Sequence, residues 1–300
     1  MDRELVSPNL FIVGAAKSGT TSIHNYLNQH PEIYMCTPKE PHFLINKEIG
    51  VNRIPSGVIN SEEYYDLFYK GKSLNYRGES SVMYLMYPEI VIPKIKYHFG
   101  DDVKIIIALR NPIDRAYSGY HHVRRYNIKE TNDSFLSAWN VCEERYLQDN
   151  LMTPASRYRT LGMYYEQVKK YKEEFENVKI VFFEDFKNNS QNEMDSIFCF
   201  LGISSILVDQ EKKYMVGGWN WKNNYVKNLL VSKNNVKQFF KFVIPFKKLR
   251  KLIRNRLVDS FSLKISEMTE LERKVLRDYY EKDILKLSKF LKKDLQHWLS

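Results

Sequence analysis

Lys17 sits inside a short loop bracketed by Gly14 and Gly19 and followed by Thr20, Thr21 and Ser22, with Ser18 beside it. These are residue types suited to holding an anionic oxygen chain. The apolar run Leu10–Val13 predicts a buried strand, and the spacing of Ile23, Tyr26 and Leu27 predicts a helix from Thr20 to Asn28. A strand that feeds a glycine loop and then a helix start aims several backbone N–H groups at one spot, where the helix dipole also favours negative charge. The widespread form of such a loop, GxxxxGK[ST], places its lysine after the second glycine, within reach of the outer phosphates of a triphosphate. Here Thr20 takes that place and Lys17 lies within the loop. The cradle is kept, and the lysine is re-aimed at a shorter anionic chain.

A second anion site is written into Ala108-Leu-Arg-Asn-Pro-Ile-Asp-Arg-Ala-Tyr-Ser-Gly119. In magnesium-dependent phosphate chemistry the corresponding strand often ends in an acidic residue that helps hold the metal. This one ends in Arg110. With Ser118 two helical turns further on, it offers a planar fork and a hydroxyl to a second phosphate. A ligand with two separated anionic groups and no metal is implied. Taken alone, an arginine paired with Asp114 or capping a helix is the plainer reading, so the argument rests on the two motifs together.

Alternation of strands and helices supplies the frame. Lys104–Leu109 is a continuous apolar run, as expected of a central parallel strand covered on both faces. Pro112 suits the first turn of a helix running to about Tyr126. Further helices are expected at Ser134–Leu147 and Met163–Phe175, and a strand at Lys179–Phe183. Ser61 is expected to cap a helix reaching Phe68, and capping boxes are expected at Ser190/Glu193 and Thr269/Glu272. The pattern predicts an α/β fold of three layers, P-loop-like, with a central mostly parallel sheet flanked by helices and ligands at the carboxyl ends of its strands.

Three hundred residues allow one large domain, and a single domain over 1–300 is expected. Three cysteines, far apart and without a CxxC pair, argue against a disulfide framework or a zinc knuckle and favour a reducing compartment. With the first core strand reached by Leu10 and no apolar run of membrane-spanning length, a cytoplasmic, bacterial-type protein is expected. The net charge of +10 is concentrated: from 212 to 258 there is no carboxylate, but thirteen lysines and arginines. Within it, residues 239–257 mix large apolar side chains with basic ones, as interfacial helices do, which points to peripheral membrane contact. An amphipathic helix packed on the sheet with a solvated basic face explains the same pattern. No nucleic-acid reading motif accompanies the basic stretch, so no nucleic-acid partner is expected.

The two anion motifs, in this order and spacing, resemble those of the sulfotransferases that use 3′-phosphoadenosine 5′-phosphosulfate, and the likeness runs from about Asn9 to Leu201 with a weaker match beyond. The resemblance implies that Lys17 contacts the bridging oxygen and sulfonate, and that Ser18, Gly19, Thr20, Thr21 and Ser22 cradle the 5′-phosphate. It further implies that Arg110 and Ser118 hold the 3′-phosphate, that Gly217 and Gly218 belong to a loop covering that phosphate, with its basic residue displaced to Lys222, and that no metal is required.

Thr37-Pro-Lys-Glu-Pro-His-Phe43 is similar to the Glu-x-His-Phe segment of carbohydrate sulfotransferases such as the heparan-sulfate enzymes. It implies Glu40 as general base, ahead of His42 beside it and of His98, which stands near where small-molecule sulfotransferases carry a catalytic histidine. Gly78–Tyr84 resembles a segment lining the acceptor side, which implies acceptor contacts for Glu79, Ser81 and Tyr84, although Val82 replaces the usual proline; orienting Lys17 or forming a buried structural ion pair stay open for Glu79. Arg157–Gly162 resembles a segment closing over the adenine. The implied acceptor is a hydroxyl, most readily that of a sugar or polysaccharide. Two other functions stay open from the residues alone: a nucleotide kinase or P-loop triphosphatase, and a membrane-surface binding protein acting through 212–258.

Overall fold

The computed structural model describes residues 5–211, 218–231 and 246–300. In chain order the elements are β1 (Leu10–Gly14), α1 (Thr20–Leu27), β2 (Ile33–Met35), α2 (Phe43–Ile49), α3 (Ser61–Asp66), β3 (Tyr76–Ser80), α4 (Pro88–Phe99), β4 (Lys104–Leu109) and α5 (Pro112–Tyr126). They continue with α6 (Phe135–Gln148), α7 (Tyr164–Glu174), β5 (Val178–Phe182), α8 (Phe183–Asn188), α9 (Ser190–Leu201), β6 (Trp219–Trp221), α10 (Asn224–Val231), α11 (Lys247–Phe261), β7 (Ser262–Lys264) and α12 (Glu270–Leu291).

Strands β1 to β5 form one sheet in the order β2-β3-β1-β4-β5, every neighbouring pair parallel. The continuous apolar runs of β1 and β4 are explained by burial on both faces. Phe11, Val13, Ile105, Ile107 and Leu109 point into one core, shared with Ile95, Ala116, Trp139, Val168 and Leu276 from α4, α5, α6, α7 and α12. Leu10, Ile12, Ile106 and Ala108 point into the other, shared with Ile23 and Leu27 of α1 and Met194, Ile197 and Phe198 of α9. The expected three-layer α/β fold is therefore present. Among the described residues no helix is long and apolar enough to cross a membrane.

The chain leaves β1 toward β2 on one side and, later, passes from β3 to β4 on the other, so direction reverses at β1. That is where open α/β sheets place ligands, outside the carboxyl ends of the strands. The loops after β1, β3, β4 and β5 converge there. A second, two-stranded antiparallel sheet, β6 with β7, is tied to the end of α5: Arg125 Nε donates to the carbonyl of Trp219 at 2.9 Å, and Trp221 Nε1 donates to the carbonyl of Arg125 at 3.0 Å.

Local caps differ from the sequence reading at two places. Asn60, one residue before Ser61, caps α3 by accepting from Glu63 N, and α3 ends at Asp66. Asn189 likewise displaces Ser190 as the cap of α9, because Ser190 Oγ bonds back to the carbonyl of Phe186. Asparagine and serine serve equally well at such positions, so the sequence alone leaves a one-residue choice. The Thr269/Glu272 box at the start of α12 is formed as expected.

Candidate active site

Beyond the end of β1 the chain turns through Lys17 at φ 70° and Gly19 at φ 81° before entering α1. The left-handed conformation at Gly19 suits a residue without a Cβ, and an added Cβ there would lie 3.0 Å from the Phe183 ring. The turn directs the Lys17 side chain into a cavity of about 1040 Å³, which Gly19, Thr20, Thr21, Ser22, Glu40, His42, Arg110, Ser118 and Gly218 also line. Ser18 is buried, and its hydroxyl has no hydrogen-bond partner among the described residues.

Four non-glycine residues among those described have positive φ, and three of them, Lys17, Glu40 and His42, face this cavity. Backbone held in such sparsely populated regions gathers at functional sites, where the surroundings fix a side chain's aim. The surroundings of the Glu40–His42 turn are visible. Glu79, fully buried, accepts hydrogen bonds from Tyr64 Oη at 2.6 Å, Ser81 Oγ at 2.6 Å and Tyr84 Oη at 3.1 Å. Two of those hydroxyls in turn accept backbone N–H groups of the turn: Ser81 from His42 at 3.0 Å and Tyr84 from Leu44 at 3.1 Å. Glu79, Ser81 and Tyr84 are thus placed behind the turn rather than on the cavity wall. Among the described residues Glu79 has no hydrogen bond or ion pair with Lys17 or another cation; burial raises its carboxyl above the usual range.

Glu40 Oε1 accepts from Lys39 Nζ at 2.6 Å, and Oε2 lies 3.4 Å from His42 Nε2. Burial pushes this carboxyl up, but Lys39 and His42 outweigh it and hold it well below the carboxylate range. It stays ionised throughout ordinary pH. Lys17 is also shifted down, but there the shift opposes its charge: burial, then Arg125 and Arg110, bring its ammonium down to about 8. The loop gathers more positive charge than its own carboxylate balances, the condition of a site built for an anion.

Arg110 follows β4 directly. Its guanidinium lies 4.8 Å over the ring of Phe183 and donates to the carbonyl of Lys17 at 3.3 Å, which ties the two anion loops together. Asp114, the alternative partner from sequence, is bonded by Arg273 at 3.5 Å. Arg110, Ser118, Arg125, His122 and Gly218 meet Lys17 around an adjoining space of about 430 Å³. Gly217 lies outside the described residues. Lys222 is exposed and turned toward the carbonyl of Ser260 at 3.3 Å, so the second cation beside the loop is Arg125, not Lys222. Arg125 lies two turns beyond Ser118 on α5, and its guanidinium is held by the carbonyl of Trp219.

Phe183, which the sequence places at the end of a strand, instead begins α8, because β5 ends at Phe182. In the 157–162 segment Arg157 is bonded to Glu143 at 2.6 Å and Tyr158 to Glu130 at 2.7 Å, leaving Leu161 on the cavity wall. His98 packs against Phe43 and Tyr97 at the end of α4, away from the cavity, and so is no candidate base. His121 and His122 diverge, the first bonded to Asn220 at 2.8 Å and the second beside Lys17, where burial and then Lys17 hold its imidazole down at about 3.

Chemically, the site offers a cradle of helix-start N–H groups, a lysine at its centre, two arginines on a second anion position and an ionised carboxylate across the cavity. Comparison with known proteins accords with this. Human bifunctional heparan sulfate N-deacetylase/N-sulfotransferase 2 is 29% identical over 210 residues, covering 67% of the chain and 22% of that protein. Human carbohydrate sulfotransferase 15 is 24% identical over 253 residues, covering 68% of the chain and 45% of its own length. The chain thus spans less than half the length of these relatives. A sulfotransferase from Alicyclobacillus acidocaldarius has the same fold at TM-score 0.72 and 28% identity, over 98% of this chain and all of that one. The family model described as Sulfotransferase domain matches residues 7–290, and the chain belongs to that family.

Proposed function

We propose that this enzyme moves a sulfuryl group from 3′-phosphoadenosine 5′-phosphosulfate to a hydroxyl of a sugar-bearing acceptor. The observation that carries the reading is the meeting of Lys17 and Glu40 in one cavity, with Arg110, Ser118 and Arg125 beside them. The residues suit such a donor. Ser18, Thr20, Thr21 and the N–H groups of α1 would hold its 5′-phosphate. Arg110, Ser118 and Arg125 would hold its 3′-phosphate, with Gly218 approaching closely and Phe183 offering a flat face to the base.

The donor supplies an activated sulfur–oxygen bond. Glu40 takes the proton of the acceptor hydroxyl, whose oxygen bonds to sulfur as the bond from sulfur to the phosphate oxygen breaks. Lys17 stabilises the negative charge arriving on that phosphate oxygen. Glu79, Ser81 and Tyr84 act from behind, fixing the aim of Glu40. A sulfuryl group carries less negative charge than a phosphoryl group, so a lysine serves where phosphoryl transfer uses magnesium. The sugar acceptor is supported by the two carbohydrate-modifying relatives, and the family assignment replaces the kinase alternative.

The deciding experiment is transfer of labelled sulfate from this donor to a panel of sugars, with and without EDTA. Activity that survives chelation and falls when the donor lacks its 3′-phosphate is expected. Strict magnesium dependence, or indifference to the 3′-phosphate, would overturn the reading. A peripheral contact with anionic membrane is also supported: Phe246, Leu249 and Leu252 are exposed beside the basic residues of α11, while 239–245 lie outside the described residues. Sedimentation with phosphatidylglycerol but not phosphatidylcholine vesicles is the outcome expected of it.

A further inference from the structure

The cavity has two ends of opposite character. The donor end holds Lys17, Arg110 and Ser118; the other end opens between residues 51–56, 126–129 and 151–155. Around that mouth four large apolar side chains stand open to solvent: Val51 at 49%, Tyr126 at 42%, Ile128 at 43% and Leu151 at 43% exposure. Scattered surface apolar residues mean little, but several exposed ones on the lining of a single binding cavity mark a ligand's apolar part.

The cations of the same wall have other partners. Arg53 lies 3.9 Å over the ring of Tyr146 and donates to the carbonyl of Met152 at 3.3 Å, bracing 51–56 against 151–155. Lys129 pairs with Asp149 at 3.2 Å. An anionic polysaccharide would need these charges free, whereas an apolar group needs only the apolar lining.

Resting on the proposed sulfuryl transfer, we infer that the acceptor is amphiphilic: a hydroxyl-bearing sugar head that reaches Glu40, joined to an alkyl, aryl or lipid group that seats on Val51, Ile128 and Leu151. The acceptor class is a glycolipid or a glycoside with an apolar aglycone, not a free or polyanionic glycan.

The test is binding of the neutral fluorophore N-phenyl-1-naphthylamine to the full chain, with and without 3′,5′-diphosphoadenosine, followed by displacement. Wild type should bind one fluorophore saturably. Octyl glucoside below its micellar concentration should displace it, and glucose or a heparosan oligosaccharide should not. The triple variant Val51→Ser/Ile128→Ser/Leu151→Ser changes only exposed positions and should bind the fluorophore about tenfold or more weakly, the scale of losing three partly buried apolar contacts. Its affinity for the diphosphoadenosine should match wild type, which shows the cavity intact. Equal fluorophore binding by the variant, no saturable binding by wild type, or displacement by heparosan as readily as by octyl glucoside would each overturn the inference. Failure of the nucleotide to bind either protein would instead sink the proposed donor, leaving the displacement result to be judged by itself.

Discussion

Lys39 donates to Glu40 at 2.6 Å, so the carboxylate facing the cavity is already ion-paired before any acceptor arrives. This pairing guarantees ionisation but weakens basicity, since a proton accepted by Glu40 must compete with the ammonium beside it. Glu40→Gln keeps the size and hydrogen bonding of the side chain without its basicity. Turnover should fall by roughly two to four orders of magnitude, the usual contribution of a positioned base, with diphosphoadenosine binding unchanged. Lys39→Met should raise the Glu40 pKa, and a carboxylate base fails as pH falls through its pKa, so the acid limb of the kcat profile should move to higher pH. If Glu40→Gln turns over normally while His42→Ala is dead, the base is the histidine.

The ammonium of Lys17 sits at about 8 because burial and two arginines oppose its charge. A bound anion restores it, so binding takes up a proton once the free site has begun to lose its own. Affinity for diphosphoadenosine should therefore decline as pH rises through about 8, by up to about tenfold per unit. Lys17→Ala should bind about 1–3 kcal/mol more weakly below that point, the scale of a charged hydrogen bond, lose the decline and lack transfer activity. Titration calorimetry across pH checks all of this; a decline that survives in the variant would mean that another group titrates.

Much of this site was legible because its pieces are local. The Lys17 loop and the Arg110 helix start each lie within a dozen residues, and their strand, turn and cap signals agree. The double burial of β4 could be read from Ile105, Ile106 and Ile107 alone. What stayed hidden depends on tertiary placement. Arg125 shares α5 with Ser118, but the Trp219 carbonyl that holds its guanidinium lies 94 positions away in the chain. Glu79 looks like a ligand group in its Gly-Glu-Ser-Ser context, and only the convergence of Tyr64, Ser81 and Tyr84 reveals a buried support. β3 is as long as β1 but has no strand signal, because Tyr76-Arg-Gly-Glu-Ser80 lacks an apolar run; its pairing with β1 supplies what its composition does not.

Glu79 gives a prediction that separates support from contact. Glu79→Gln keeps the volume but trades a charged acceptor of three hydroxyls for a neutral amide. Loss of about 1.5–3 kcal/mol of stability is expected, the difference made by a hydrogen bond to a charged group, seen as a lower Tm. If Glu79 acts only through the Glu40–His42 turn, kcat should drop with the acceptor KM little changed. A large rise in acceptor KM at unchanged kcat would place Glu79 in direct acceptor contact.

Gly19 sits where the Lys17 loop meets the Phe183 ring, which the proposed donor would place beside its base. Gly19→Ala puts a Cβ on a residue at φ 81° and brings it to 3.0 Å from the Phe183 ring. The left-handed backbone costs about 1–2 kcal/mol for a residue with a Cβ, and Phe183 must also give way, carrying Arg110 above it. Two consequences follow from one methyl group: a lower Tm, and weaker binding of diphosphoadenosine than of an analogue lacking the base. Phe183→Ala should reproduce the second without the first being as large, since its ring lies on the cavity wall. Calorimetric titration of both ligands into both variants makes the comparison. If Gly19→Ala weakens the two ligands equally, the cradle alone has been distorted and Phe183 takes no part in holding the base.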